Sequence, residues 1–351
     1  MPNVVPHVKQ YVGLDVSLKE TSISVIDEAD NTIWRGRSMS TPDDVAEKVL
    51  ARAPHAVRIG LECGQLSYWL YHGLKAKGLP VICIDARHAH ATLSLRINKT
   101  DANDAQGLAQ LMRVGWYRET TVKGLDCRYV RSLLVVRQRL VFQITAQKNC
   151  IRGVIKGFGH VMPKALKRTF VPKIRAAIAD DPLLATLIEP TLRSLEAAME
   201  QLLEYDRAVM KQARTDEVVR LLMTAPGVGP VVALAFVTGV EDPARFSSSA
   251  SVGAYFGMTP RRYQSGEVDR TCRVSKCGDS MVRGLLFEGA KVLLSRTCRP
   301  CALQAWGHAH AKRTGNKKAT MAVARKLAVI LHRMWTTREP FRWQPASLTM
   351  Q

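Results

Sequence analysis

Short apolar runs punctuated by turn residues fill residues 10–120, and helical periodicity replaces them afterwards. Tyr11–Val16 is an apolar run with an acid, Asp15, inside it. Thr21–Ile26 and Thr32–Ser38 follow, separated by the turn-like Glu28-Ala29-Asp30-Asn31. Thr41-Pro42-Asp43-Asp44 reads as a helix start, with Thr41 as N-cap, proline in the first helical position and acids in the first turn. Val57–Leu61 predicts a strand ending at Glu62, and Leu66–Lys77 a helix ending at Gly78. Val81–Asp85 predicts another strand, and Asn98-Lys99-Thr100-Asp101 leads into a helix over Ala102–Arg113.

Residues 126–213 read as purely helical. Val130, Leu133, Leu134, Leu140, Val141 and Ile144 share one face, and Leu192, Leu195, Met199, Leu202, Asp206 and Val209 recur with heptad spacing. An internal helical hairpin explains that seam as well as a coiled coil between subunits does. Gly153, Gly157, Gly159, Pro163 and Pro172 mark a bend between the helices. The uncharged run Leu221–Val240 has the length of a membrane span. Pro226, Gly227, Gly229 and Pro230 break it into two arms, so a hinge between buried helices is the better reading. A Gly- and Arg-rich stretch follows, then helices from about Ser280. The chain thus divides into an α/β domain (1–125), a helical segment (126–215) and a mainly helical C-terminal domain (216–351).

Charge changes the picture next. The 351 residues carry 51 Lys and Arg against 30 Asp and Glu, a net charge of +21 that calls for a polyanionic partner. The cations are clustered: 12 of them and no acid between Cys127 and Ala179, and 11 with no acid between Gly289 and Arg338. Solvated faces normally mix signs, so these stretches read as phosphate-tracking surfaces. The N-terminus lacks the apolar core of an export signal, and the eight cysteines read as reduced thiols of a cytoplasmic protein with no membrane partner. Cys272, Cys277, Cys298 and Cys301, with His308 and His310, have irregular spacing for a zinc site.

Three constellations carry candidate chemistry. Asp15, Glu62, Asp101 and Asp104 are acids at strand and helix ends, and Asp15 inside an apolar strand is costly unless paired or metal-bound. Oxygen donors gathered in this way suit Mg2+, with Mn2+ as the alternative ion, for phosphoryl transfer. The bland alternative is that Asp101 caps its helix and Asp15 pairs with an arginine. Lys99 fits a phosphate contact or plain solvent equally well. Pro226-Gly227-Val228-Gly229-Pro230 has the pattern of a helix-hairpin-helix, in which Gly227 and Gly229 let backbone N–H groups approach a phosphate. Ser265-Gly266 is ringed by Arg261, Arg262, Arg270, Arg273, Lys276 and Arg283. Cations would stabilise a serine alkoxide and a phosphorane, but from composition alone Ser265 reads as a turn residue beside a binding surface.

The strand order βββαβαβα resembles a ribonuclease H-like fold. Taken together, the motifs resemble the insertion-sequence-110 family of transposases over nearly the whole chain. The N-terminal marks are Tyr11-Val12-Gly13-Leu14-Asp15-Val16-Ser17, Glu62-Cys63-Gly64 and Lys99-Thr100-Asp101-Ala102-Asn103-Asp104-Ala105. The C-terminal marks are the Gly-Val-Gly-Pro turn, Phe246-Ser247-Ser248, Gly257-Met258-Thr259-Pro260, Ser265-Gly266 and Ser275-Lys276-Cys277-Gly278-Asp279. The resemblance implies a RuvC-like DEDD domain with Asp15, Glu62, Asp101 and Asp104 as metal ligands, a coiled-coil segment and a transposase domain. It implies that Ser265 is a nucleophile forming a covalent phosphoserine link to DNA. It further implies a homo-oligomer, dimer or tetramer, in a prokaryotic, nucleoid-associated setting. There a structured bridge RNA pairs with both donor and target DNA. Gln264-Ser265-Gly266-Glu267 departs from the family's usual Ser-Ser-Gly-Gly and leaves a single serine at this place.

An aromatic content of only 6% suits a protein that reads backbone and duplex shape while base pairing reads sequence. Two rivals stand beside this reading: a structure-specific nuclease that uses water, and a non-catalytic nucleic-acid-binding protein.

Overall fold

The N-terminal apolar runs build a five-stranded sheet. In the computed structural model, which describes residues 8–94, 98–160, 169–296 and 299–343, the chain falls into two units that divide between Gly124 and Leu125. In the first, β1 (Gln10–Val16), β2 (Glu20–Ile26), β3 (Thr32–Met39), β4 (Ala56–Glu62) and β5 (Val81–Ile84) lie in the order β3-β2-β1-β4-β5. The first three form an antiparallel meander; β4 runs parallel to β1, and β5 parallel to β4. Four helices complete the unit: α1 (Pro42–Arg52), α2 (Ser67–Ala76), α3 (Ala86–Leu93) and α4 (Asp101–Val114). Every strand and helix expected in this region is present. The unanticipated one is α3, whose sequence ARHAHATL offers only a short stripe of Ala86, Ala89 and Leu93 and buries only Ala89.

Strand alternation sorts the sheet's two faces. Val12, Leu14, Ile23 and Val25 pack with Val45 and Val49 of α1 and Leu70 and Leu74 of α2. Tyr11, Ile26 and Ile84 pack with Leu108, Ala109 and Met112 of α4 on the other face. Thr41 caps α1 as expected, its Oγ1 accepting the Asp44 N–H at 3.2 Å.

The second unit begins with α5 (Leu125–Gly157), α6 (Phe170–Ala177) and α7 (Pro182–Thr215). α5 and α7 run antiparallel: Arg137 Nε donates to Asp206 at 2.6 Å and Gln147 to Ser194 at 3.0 Å. The heptad seam is filled from within the chain. Leu192 and Leu195 are buried with Ile144, Ile151 and Ile155, while Val209 joins Leu134. The seam's one polar member, Asp206, is the partner of Arg137. Of the residues expected to mark a bend, Gly157 ends α5 and Gly159 follows at φ +83°, whereas α5 continues through Gly153 and Pro172 lies inside α6; Pro163 lies outside the described residues.

Next come α8 (Glu217–Leu222), α9 (Pro230–Val240), α10 (Ser251–Tyr255), β6 (Pro260–Ser265), β7 (Val268–Val274), α11 (Ser280–Arg296), α12 (Ala302–Thr314) and α13 (Asn316–Thr337). The uncharged run is the end of α8, a turn and α9, packed in one core with α11 and α13. Among the described residues no helix is long and apolar enough to cross a membrane. The Gly- and Arg-rich stretch contains a feature that the sequence pattern did not predict, the β6–β7 hairpin. Every residue of β6 is exposed, and no described side chain of β7 is buried, so the pair carries no hydrophobic signature.

Candidate active site

Asp15 and Glu62 reach the same place by the same local rule. Each follows a glycine by two residues, in Gly13-Leu14-Asp15 and Gly60-Leu61-Glu62, and the strands pair in parallel with Gly13 beside Gly60 and Leu14 beside Leu61. Period-two alternation therefore sends both leucines into the α1–α2 core and both acids to the α4 side. The glycines let α4 lie directly on the sheet. A Cβ at Gly13 would meet the Ala105 carbonyl oxygen at 2.0 Å, and one at Gly60 would meet the Met112 side chain at 2.7 Å. Arg58 ties the far end of α4 down by donating to the Met112 carbonyl at 2.8 Å.

This packing brings the first turn of α4 to the strand ends. Thr100 is its N-cap, accepting the Asn103 N–H at 3.2 Å, so Asp101 and Asp104 lie in the first turn and neither is needed as a cap. The capping alternative for Asp101 fails, and no arginine pairs with Asp15 among the described residues.

The electrostatics record the convergence. Burial raises the Asp15 carboxyl to about 6, reinforced by the charges of Asp104, Asp101 and Glu62 and opposed by Lys99. Burial also raises Glu62, with Asp104 adding to the rise while His90 and Lys99 oppose it. Lys99, exposed beside the cluster, thus acts on both acids. His90, on α3, is a neighbour that sequence reading missed, because the helix carrying it has only a short apolar stripe. Asp15 and Glu62, both with raised proton affinity, and the neighbouring Asp101 and Asp104 offer carboxylate oxygens of the kind a hard divalent cation stabilises. Among the described residues, no three His, Cys, Asp or Glu side chains converge closely enough to hold a metal ion. Asp15 and Glu62 also line a cleft of about 340 Å³ with Ser17, Cys63 and Ser67. Cys63 accepts a hydrogen bond from Cys83 that holds its thiol down at about 6 and pushes that of Cys83 up.

Ser265 belongs to the second unit. β6 and β7 pair from Pro260–Val274 at the root to Ser265–Val268 at the tip, around the two-residue turn Gly266-Glu267. Gly266 has φ +54°, which suits a tight hairpin turn. Two glycines clamp the root: a Cβ at Gly257 would meet the Cys277 carbonyl oxygen at 2.0 Å, and one at Gly278 that of Tyr255 at 2.1 Å. Ser275 N donates to the Thr259 carbonyl at 2.9 Å and Lys276 N to that of Gly257 at 3.1 Å. The two motifs Gly257–Pro260 and Ser275–Asp279 therefore anchor the hairpin. Asp279 continues the clamp by accepting the Met281 and Val282 N–H groups and pairing with Arg131.

The cations around Ser265 are not equivalent. Arg262 donates twice to Asp269, at 2.8 and 2.6 Å, and Arg283 donates to the Phe256 carbonyl at 3.0 Å. Both have structural partners. Arg261, Arg270, Arg273 and Lys276 are exposed with no acid partner among the described residues. Register puts Tyr263, opposite Arg270, on the same hairpin face as Ser265; the Arg262–Asp269 pair is on the other. The two glycines of the interhelical turn also differ. A Cβ at Gly227 would meet the Gly289 carbonyl oxygen at 2.1 Å, so this glycine is needed for packing on α11, whereas Gly229 is open at the start of α9. Of the irregular cysteine set, Cys301 is buried and Cys277 exposed, while Cys298 and the side chain of Cys272 lie outside the described residues.

Comparison with known proteins fits this geometry. Residues 12–159 match the DEDD family of IS110 elements, described as a transposase, and residues 219–306 match the family described as transposase IS116/IS110/IS902. The chain is 30% identical over 285 residues to the transposase for insertion sequence element IS1111A of Coxiella burnetii, covering 80% of this chain and 78% of that one. It is 25% identical over 335 residues to the transposase for IS1328 of Yersinia enterocolitica, covering 94% and 96%. A shorter match, 27% over 122 residues and 34% of this chain, is to the pilin gene-inverting protein of Moraxella bovis, of which it covers 38%. The DEDD match points to dependence on a divalent metal. The chain belongs to the IS110 family of transposases, enzymes that cut and rejoin DNA.

Proposed function

We propose that this transposase breaks and rejoins donor and target DNA through a phosphoserine link at Ser265, with a divalent ion, Mg2+ or Mn2+, at Asp15, Glu62, Asp101 and Asp104. The observation that carries the reading is the coupling of four acids from β1, β4 and α4 at one end of the sheet, where burial and mutual repulsion raise Asp15 to about 6. The sheet order, with β1 flanked by antiparallel β2 and parallel β4, supports a ribonuclease H-like, RuvC-like assignment. A bound ion there would polarise the phosphate and lower the charge barrier to an incoming oxygen.

The protein's own groups then have separate tasks. Ser265 Oγ bonds to phosphorus as the DNA P–O bond breaks, and the proton it loses is matched by the one gained by the departing DNA hydroxyl. Attack of a DNA hydroxyl on the phosphoserine reverses the exchange and restores the serine, so no bond energy is lost. Arg270, on the same hairpin face, is placed to offset the phosphate charge, and Arg261, Arg273, Lys276, Lys99 and the open Gly229 backbone serve DNA binding. The gene-inverting relative favours recombination over simple cutting. A bridge RNA supplying sequence, and a dimeric or tetrameric assembly on the nucleoid, complete the proposal. The +21 charge and scarce aromatic residues favour a protein that leaves sequence reading to base pairing.

The test is covalent trapping. Protein, RNA transcribed from the DNA flanking its gene, Mg2+ and labelled donor and target DNA are incubated and then denatured. Label migrating with protein, and lost in Ser265→Ala, is the expected result. Cleavage without an adduct would make water the nucleophile.

A further inference from the structure

A cavity of about 760 Å³ lies at the root of the Ser265 hairpin. Pro260 and Val274, the paired residues that start β6 and end β7, form part of its lining. Met258 and Met321 add apolar, deformable walls. Trp306 stacks on His310 with the rings 6° from parallel and 5.1 Å between centroids, and Lys326 Nζ stands 3.8 Å from the indole centroid. Lys318 and Arg325 also line the cavity, and among the described residues no acid does.

We infer that this cavity takes an unstacked nucleobase of the DNA strand on which the hairpin acts. The inference rests on the reading of Ser265 as a DNA-attacking group. An apolar, aromatic-walled space within the roughly 300–1,000 Å³ range of small-ligand sites suits a flat heterocycle. Stacking on aromatic rings tolerates any base. Cations with no compensating acid suit the phosphates that must accompany a base and would be left uncompensated by an apolar protein segment. The position also sets a spacing. Five residue steps lead from Pro260 to Ser265, roughly 16 Å at about 3.3 Å each, which corresponds to about five nucleotides if the intervening strand is stacked at about 3.4 Å per step. The captured base is therefore about five nucleotides from the cut, and its seating fixes the strand relative to the hairpin tip.

The test uses the full-length protein and single-stranded thymidine oligonucleotides carrying one 5-iodouracil, irradiated and mapped by mass spectrometry. Adducts on the peptide containing Trp306 and His310 are expected. Ala322→Phe, which fills the cavity without altering charge, should weaken binding about tenfold and remove those adducts. Because Ala322→Phe can perturb folding, the exposed Lys326→Gln is measured beside it and should weaken the same binding several-fold. Replacing the captured nucleotide by an abasic one should cost wild type about tenfold and Ala322→Phe nothing. Adducts mapping elsewhere, an abasic site without cost, or entry of the matching uridine oligonucleotide in preference to DNA would each overturn the inference. A serine adduct without cavity labelling refutes the cavity alone, whereas cavity labelling without a serine adduct refutes the proposed reaction.

Discussion

The carboxylate cluster and the serine hairpin solve opposite problems. The cluster follows from the packing of the sheet: strand alternation, two glycines and a packed helix bring its acids to one end of the sheet, near enough for Asp104, Asp101 and Glu62 to raise Asp15. The hairpin is held only at its root, and every residue of β6 is exposed. One region gathers unfavourable charge, which raises Asp15; the other presents a hydroxyl and arginines that have no acid partner among the described residues. The acids are half-buried or, at Asp101, exposed at the end of a packed sheet, whereas the hairpin tip is fully exposed.

The largest effect should come from the hairpin tip. Ser265→Ala is expected to lower strand exchange at least about a thousandfold while leaving DNA affinity, read by anisotropy, within about twofold. At the cluster, Asp101→Asn and Asp15→Asn should each lower cleavage by at least about a hundredfold. Asp15→Asn should at the same time raise the stability of the metal-free protein at pH 7. The sign follows from its raised carboxyl: its charged form is disfavoured in the fold, so the penalty is absent below the ordinary value of 3.8, grows as pH rises toward about 6 and is full above it. Screening of this half-exposed group leaves a gain of about 1 kcal/mol, readable as a higher thermal midpoint. A lower midpoint would mean that Asp15 has a favourable partner. Metal-dependent cleavage should likewise fall as pH drops below about 6, where protons compete for Asp15.

Packing beneath the cluster gives the next test. Gly13→Ala places a methyl group 2.0 Å from the Ala105 carbonyl oxygen and should destabilise the fold by about 1–3 kcal/mol, measured by urea unfolding. The smallest effect separates the hairpin's two faces. Arg270→Gln should slow adduct formation about tenfold, and Arg262→Gln, whose partner is Asp269, by less than about twofold. Equal effects would refute the division of faces.

Legibility followed burial. The sheet and helices α1, α2 and α4 were readable because apolar runs, caps and turn residues announce elements that bury something, and the four acids stand at the ends of those elements. The duplicated glycine–leucine–acid signal was available in the sequence at Gly13 and Gly60 but meaningful only once the two strands were known to be parallel neighbours. The hairpin went unread because β6 is exposed throughout, and α3 because its apolar stripe is only two turns long, so Ser265 was singled out by resemblance to a family and not by its strand. Roles within the Arg and Gly sets were equally hidden. Arg262, Arg283 and Gly227 have the composition of nucleic-acid contacts, but Asp269, the Phe256 carbonyl and Gly289 already engage them.

The most direct measurement is mass-spectrometric mapping of the denatured protein–DNA adduct, formed by wild type and by Asp101→Asn with and without chelator. The account predicts a single phosphonucleotide-modified peptide, carrying its mass on Ser265, present only with intact carboxylates and free divalent metal. A modification on any other residue, or one at Ser265 that forms undiminished without metal or without Asp101, would contradict it.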